Sequence, residues 1–323
     1  MILSKIISSR IKPPTASTTN LSVVIIARNE RAHLRRTLEN LRDTLPADAE
    51  VLVVDDGSTD GSTRFLNTKK AAARLLHSAK LGVAGARNFG AANTSGNVLI
   101  FCDAHIWLYD DWWRPLVARL EDPSVGGAAP AIIDVRDRKC YGYGLFLTGD
   151  ELVADWLEET KHPSRVPILP GCCLAMRRDV FEQVGGFDSG MICSGGVDNE
   201  LCLRLWLLGY EQWIEPTVEV LHLFRREQPY PIESATILHN RLRLAMIHFS
   251  PRRFQNVVDA LRQYEDFAEA LALTVDSDAA VQRAQWAARR VHDDAWFFLR
   301  FARITSQRVT RNTKTMAKSK RRY

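Results

Sequence analysis

Asn97-Val98-Leu99-Ile100-Phe101-Cys102-Asp103-Ala104-His105 is an apolar run that ends on an acid and an imidazole. The run predicts a strand, and side chains on a strand alternate, so Asp103 and His105 project to the same side of a sheet edge. One hard oxygen and one imidazole nitrogen suit a divalent ion such as Mn2+, and an aspartate on a cation is a common way to hold a diphosphate. Taken alone, Asp-x-His is equally the polar end of an ordinary strand. The surrounding chain decides between the two readings.

Upstream, Leu21-Ser22-Val23-Val24-Ile25-Ile26-Ala27 is a continuous β-branched run, the pattern of a strand buried on both faces of a mainly parallel sheet. Arg28-Asn29-Glu30 follows, then Leu34, Leu38 and Leu41 at helical spacing. The unit repeats: Glu50 to Val54 predicts a second strand, leading into Asp55-Asp56-Gly57-Ser58-Thr59-Asp60-Gly61-Ser62. Acids just past a buried strand sit at its carboxyl end, where open α/β sheets bind ligands, although Asp55 and Asp56 also suit a plain turn. Leu81 to Ala92 is rich in small residues and predicts a closely packed helix whose one cation, Arg87, has a planar fork able to reach a phosphate.

Downstream, Asp110 to Leu120 predicts a helix, and Gly126 to Ile133 another strand. Tyr141 to Val166 reads as a long excursion with a short helix near Leu152 to Glu158, the kind of insertion that carries substrate contacts. Leu169 to Met176, beginning Leu169-Pro170-Gly171, returns to the sheet, and Arg178-Asp179-Val180-Phe181 opens a helix that breaks at Gly185-Gly186. The glycine-rich segment Gly190 to Gly196 then delivers Asp198 and Glu200 to the start of a helix over 201–208. Acids there favour the helix dipole, and a carboxylate on such a loop is also placed to act as a base. Thr217 to Arg226 is the last predicted strand, with His222 inside it and Arg225 behind; a third ligand for Asp103 and His105 would come from His222.

The chain has 323 residues, 46% apolar and 25% charged, which fits a globular α/β protein of one large domain with an appendage. No apolar run is long enough to span a bilayer, and Arg10 and Lys12 interrupt the apolar N-terminal residues, so the expected location is the cytosol. Six scattered cysteines lack zinc-site spacing. Net charge is +5, but eight Lys/Arg and no acid lie from Arg303 onward; subtracting them leaves −3 for the rest, so the basicity belongs to the tail. The expected division is a flexible leader 1–20, a catalytic domain 21–248, a helical extension 249–305 and a basic tail 306–323.

Taken together, these segments resemble a family-two-type nucleotide-sugar glycosyltransferase of the GT-A fold, and in the metal motifs they are similar to the polypeptide N-acetylgalactosaminyltransferases. The matching stretches are Val23 to Glu30, Val51 to Asp60, Gly82 to His105, Gly171 to Phe187, Gly195 to Trp206, and His222-Leu223-Phe224-Arg225 with Gln228-Pro229-Tyr230. The resemblance implies a Rossmann-like, mostly parallel mixed sheet flanked by helices. It implies that Asp56, with Asp55, holds uracil and ribose, that Ala27, Arg28, Asn29 and Glu30 line the nucleotide, and that Arg87 and Gly171 border the donor. It further implies that Asp103, His105 and His222 bind Mn2+ or Mg2+, that Arg225 and Tyr230 steady the departing phosphates, and that Asp198, with Glu200, serves catalysis. Ser194-Gly195-Gly196-Val197 stands where the polypeptide enzymes carry Trp-Gly-Gly-Glu, so UDP-GalNAc, UDP-GlcNAc and UDP-Glc all stay open as donors, as do retaining and inverting outcomes.

The expected partner is thus a UDP-sugar donor, with a peptide or protein as one candidate acceptor; a UDP-sugar-binding scaffold without turnover is the alternative. Ala235 to Phe249 predicts a helix carrying Asn240, Arg241 and Arg243, which in related enzymes face the site. Val281, Ala284, Ala288, Val291, Ala295, Phe298 and Ala302 predict a heptad seam, packed on the catalytic domain or used for homo-oligomer formation. Nucleic-acid binding is not expected, since the tail lacks interleaved aromatics, and any membrane contact through Trp296 to Phe301 and the tail would be peripheral.

Overall fold

The computed structural model describes residues 19–68, 71, 73–225, 227–302 and 304. Most of the expected leader and all of the basic tail lie outside the described residues. The β-branched run forms β1 (Leu21–Ala27), followed by α1 (His33–Thr44), β2 (Glu50–Asp55), β3 (Arg74–His77), α2 (Gly82–Ala92) and β4 (Val98–Asp103). β1 pairs in parallel with both β2 and β4, and β2 with β3. Val23, Val24, Ile25, Leu99, Ile100 and Phe101 are completely buried, as strands covered on both faces require.

The chain then forms β5 (Ile106–Trp107), α3 (Trp113–Arg119) and β6 (Val125–Asp134). The excursion holds β7 (Tyr141–Gly142), β8 (Leu145–Thr148), β9 (Val153–Trp156) and β10 (Ser164–Arg165). The short helix expected near Leu152 to Glu158 is instead β9, paired antiparallel with β8 through Leu145↔Trp156 and Thr148↔Val153. Backbone pairing with the neighbouring β8 satisfies its groups where an isolated helical turn could not. β11 (Cys173–Arg177), α4 (Arg178–Gln183), α5 (Val197–Leu207) and β12 (Glu211–His222) complete the main sheet, whose order is β10-β12-β6-β11-β4-β1-β2-β3. β11 runs antiparallel to both β4 and β6, and β12 runs parallel to β6, so β4 and β12 point the same way and end at one edge.

α6 (Ser234–His248), α7 (Pro251–Leu261), α8 (Phe267–Val275) and α9 (Ala279–Ala287) follow, with residues 294–302 again helical. Phe249, Val257, Leu261, Ala270, Phe297 and Phe301 share one hydrophobic cluster with Phe101, Leu174 and Phe187 of the sheet layer. The heptad seam is not formed: the helix ends at Ala287, and Val281 and Val291 are 58% and 67% exposed. Arg289, Arg290, His292 and Asp293 interrupt it, and Arg289 and Arg290 instead bind the carbonyls of Gln183 and His248. Among the described residues no helix is long and apolar enough to cross a membrane, and all six cysteines are free.

α2 packs on β1 and β2 through small residues because nothing larger fits. A Cβ on Gly90 would lie 2.3 Å from Val24 Cγ1 and 3.2 Å from Val54 Cγ2. Gly90→Ala is therefore expected to lower the unfolding free energy by about 1–3 kcal/mol, overriding the roughly 1 kcal/mol that alanine adds to a helix; urea titration reads the sign directly.

Candidate active site

The carboxyl ends of β1, β4 and β12 and the N-terminal ends of α2 and α5 surround a cavity of about 250 Å³. Ala27, Arg28, Glu30, Asp56, Arg87, Asp103, His105, Asp198, His222, Arg225 and Tyr230 line it, with Cys172 and the segment 193–197. Asp103 is the last residue of β4. The chain crosses from there to β12, where Ile106 and Trp107 pair with His222 and Leu221, and Leu223 N–H donates to the His105 carbonyl at 3.2 Å.

This crossover brings Asp103, His105 and His222 together, with one ligand atom from each within 4.8 Å of the others. His222 Nε2 is 3.3 Å from Asp103 Oδ2, while His222 Nδ1 is buried without a partner. Burial depresses the His222 pKa and so favours the neutral, ligating imidazole. At Asp103, burial opposes ionisation, but the His222 hydrogen bond and the nearby Arg87 charge override it and hold the carboxyl well below its ordinary range. Glu30 supports the group from behind: its carboxylate meets His105 Nδ1 at 3.2 Å and takes both terminal nitrogens of Arg225. A carboxylate on the far nitrogen of an imidazole is the arrangement that orients a ligating histidine.

Asp56 closes another side of the cavity. Its carboxylate accepts from Ser78 Oγ at 2.6 Å, Leu81 N at 2.6 Å and Gly82 N at 3.0 Å, which pins the start of α2. The Arg28 guanidinium lies 4.4 Å from the centre of the Tyr230 ring. Burial pushes the Tyr230 hydroxyl up to about 12. Opposite, Asp198 stands in the first turn of α5, and burial raises its pKa although Arg87 Nη1 donates to it at 2.5 Å.

The structure corrects several expectations. Glu200 does not reach the cavity; it is 1% exposed and binds Arg204 at 2.7 and 2.8 Å and His248 at 2.8 Å. Asp55 does not reach it either: it accepts from Ser58 N at 2.8 Å and Thr63 Oγ1 at 2.6 Å and serves the turn. Arg87 lines the cavity but its fork is occupied by Asp198 and, at 2.7 Å, by the Gly171 carbonyl. Gly171 contributes that carbonyl and its lack of a side chain, since a Cβ there would stand 2.1 Å from the Asp198 oxygens. Asn29, in left-handed backbone with φ 58°, ties the loop together through Thr59 N and the Pro229 carbonyl. Of the α6 residues, Asn240 holds the glycine segment, whereas Arg243 is turned to Asp188 and Asp278.

A mixed sheet with its ligand edge built in this way defines a GT-A glycosyltransferase fold. The model of glycosyl transferase family 2 matches residues 22–185, and that of the N-terminal domain of galactosyltransferase matches residues 154–229. The chain belongs to glycosyl transferase family 2. Polypeptide N-acetylgalactosaminyltransferase 15 of Homo sapiens is 31% identical over 257 residues, 72% of this chain and 40% of that protein. Polypeptide N-acetylgalactosaminyltransferase 11 of Xenopus tropicalis is 30% identical over 286 residues, 78% of this chain and 47% of that protein. The chain thus spans less than half the length of these relatives. The crystal structure of GalNAc-T7 with UDP, GalNAc and Mn2+ superposes with a TM-score of 0.72 at 21% identity, covering 91% of this chain and 58% of that one, a likeness of fold.

The Glu200 cluster makes a stability claim. Burial alone would raise its pKa, but Arg204 and His248 bring it down to about 2 from an ordinary 4.5. A depressed carboxyl stabilises the fold above its unfolded pKa, and that contribution is lost as pH falls towards the folded value. Glu200→Gln, which leaves Arg204 buried without its counter-charge, is expected to cost about 3–5 kcal/mol at neutral pH. It should also flatten the acid limb of stability below about pH 4.5, which denaturant titrations across pH 2–7 measure.

Proposed function

We propose that this protein transfers a sugar from a UDP-sugar to an acceptor nucleophile with the help of Mn2+ or a similar divalent ion. The observation that carries the reading is the convergence of Asp103, His105 and His222, with one ligand atom from each within 4.8 Å of the others, at the cavity formed by the sheet's carboxyl edge. One carboxylate oxygen with two imidazoles is a donor set that fits Mn2+. When bound, the ion would neutralise charge developing on a departing diphosphate. Asp103, His105 and His222 would hold it, with Glu30 fixing the His105 ring.

The remaining residues divide the work. Asp56, Ala27 and Arg28 border the nucleotide side, with Tyr230 beneath Arg28. Arg225 stands at the cavity with its fork on Glu30, close enough to exchange that carboxylate for a phosphate. Asp198 is the one acid in the α5 first turn that faces the cavity and is the residue assigned to orient or deprotonate the acceptor. The relatives' names support GalNAc as the donor sugar and a peptide as the acceptor; Ser194 and Val197 in the cavity wall keep the other UDP-sugars in the test. The same intact set of Asp103, His105, His222 and Asp198 favours turnover over a binding scaffold.

Incubation with UDP-GalNAc, UDP-GlcNAc and UDP-Glc in Mn2+ should release UDP from one of them; no release from any would overturn the enzyme reading. Asp103→Ala and His222→Ala should each abolish Mn2+-stimulated UDP release and weaken UDP binding in Mn2+, and unchanged metal-stimulated turnover in either would remove the metal assignment. Glu30→Gln should lower Mn2+ affinity by about 10–100-fold without removing a ligand, as loss of an orienting carboxylate does; isothermal titration with Mn2+ measures it.

A further inference from the structure

The segment 192–197, of which residues 193–197 wall the cavity, leads directly into Asp198, yet its own sequence gives it little to hold a shape. Cys193, Gly195 and Gly196 have φ of 54°, 91° and 79°, a left-handed backbone that forms no regular element. One side of it rests on α2: Cys193 O accepts from Val83 N at 2.8 Å, and a Cβ on Gly82 would meet the Cys193 backbone at 3.0 Å. The other side faces α6, where Ile237 lies near Gly195 and the Asn240 amide makes the hydrogen bonds. Asn240 Nδ2 donates to the carbonyls of Ile192 at 2.9 Å, Ser194 at 3.2 Å and Gly195 at 2.8 Å, while its Oδ1 accepts from Ile192 N at 2.8 Å.

Asn240 is fully buried and does not itself line the cavity; it reaches the lining through the Ser194 and Gly195 carbonyls. Its neighbours on α6 anchor it from behind. His239 bridges Thr274 Oγ1 and the Gly190 carbonyl, and Arg243 joins Asp188 to Ser277 and Asp278. The turn before the glycine segment and the α8–α9 connection are thereby fastened to the same helix.

We infer that Asn240 is a positioning residue: its amide is the latch that sets the conformation of the 192–197 wall and, through it, the placement of Asp198 beside the donor sugar. An amide suits this role and a carboxylate does not, because three converging carbonyls need a donor. Release of the wall would leave the metal triad and the Asp56 side in place. It would admit water to the reacting carbon and blur the alignment that transfer needs.

The experiment compares wild type with Asn240→Asp, which keeps the shape and removes the donor. Hydrogen exchange should speed up by about tenfold or more at amides 192–197, with residues 98–105 and 218–222 unchanged. UDP affinity in Mn2+ should stay within about twofold, while kcat falls by about tenfold or more and the share of donor lost to water rises. Should Asn240→Asp fail to fold, Asn240→Ser, which loses the reach without burying a charge, carries the same comparison. Unchanged exchange at 192–197, or loosening spread equally over the sheet, would overturn the latch. The kinetic arm rests on the proposed transferase activity, but the exchange arm does not, so a chain that turns over no UDP-sugar would sink that activity while leaving the latch to be judged by exchange alone.

Discussion

Asp103 and His222 meet although their strands are not neighbours, and the rest of the site depends on how that gap is crossed. β11 and β6 stand between β4 and β12 in the sheet. β11 begins at that carboxyl edge, with Cys173 opposite Cys102. The chain leaving Asp103 passes to the far edge of β12, where Ile106 and Trp107 pair with His222 and Leu221 on the side opposite β6. Thr37 Oγ1 fixes the crossover from the other side, bonding Ala104 O, Ile106 O and Ile106 N at 3.0–3.2 Å. Buried backbone groups must be satisfied, so this short ladder has one register, and that register puts His105 beside His222 with ring centres 4.8 Å apart.

A second rule sorts the charged groups at this edge. Burial makes an unpaired carboxylate costly, so each acid is already answered by a donor, and the type of donor shows what the acid is for. Asp55 and Asp56 are answered by backbone and hydroxyl groups and shape turns and a helix start. Glu30 is answered by Arg225 and an imidazole. Arg87 is shared between Asp198 and, at 3.5 Å, Asp103, so one buried cation links the first turn of α5 to the end of β4. Asp103 differs in facing two imidazoles whose nitrogens are themselves able to ligate, and that combination is what a divalent ion would complete.

Much of this could be read in the residues. β-branched runs marked β1, β2 and β4, and Asp103 with His105 fell at a strand end because alternation leaves no other reading of an apolar run followed by Asp-x-His. Other parts followed the same geometry less visibly. Asp198 and Glu200 are two apart on a helix, about 200° around its axis, so they cannot both face the cavity, and Arg204 at i+4 marks Glu200 as the inward one. Asp55 and Asp56 are adjacent in sequence and part company in the same way. The α9 seam failed because helical spacing of small residues does not register the polar stretch Arg289 to Asp293 that ends it. Nothing local distinguishes Asn240: its role comes from carbonyls more than forty residues away.

α6 shows why the C-terminal helices cannot be treated as an appendage. A helix lying on a domain surface is apolar on one stripe, but here Leu238, His239, Asn240, Leu242, Arg243, Leu244, Ala245 and His248 are all buried, which covers the whole circumference. Such a helix needs packing on every side, and α7, α8 and α9 supply the side away from the sheet. Its polar residues are then obliged to find partners inside the protein, and they find them in the glycine segment, the Asp188 turn and Glu200. The aromatic cluster of Phe249, Phe297 and Phe298 closes the outer face of the same layer. The helices beyond residue 249 thus complete the burial of the element that grips the cavity wall, so the stability of that wall and the packing of the C-terminal helices are one quantity.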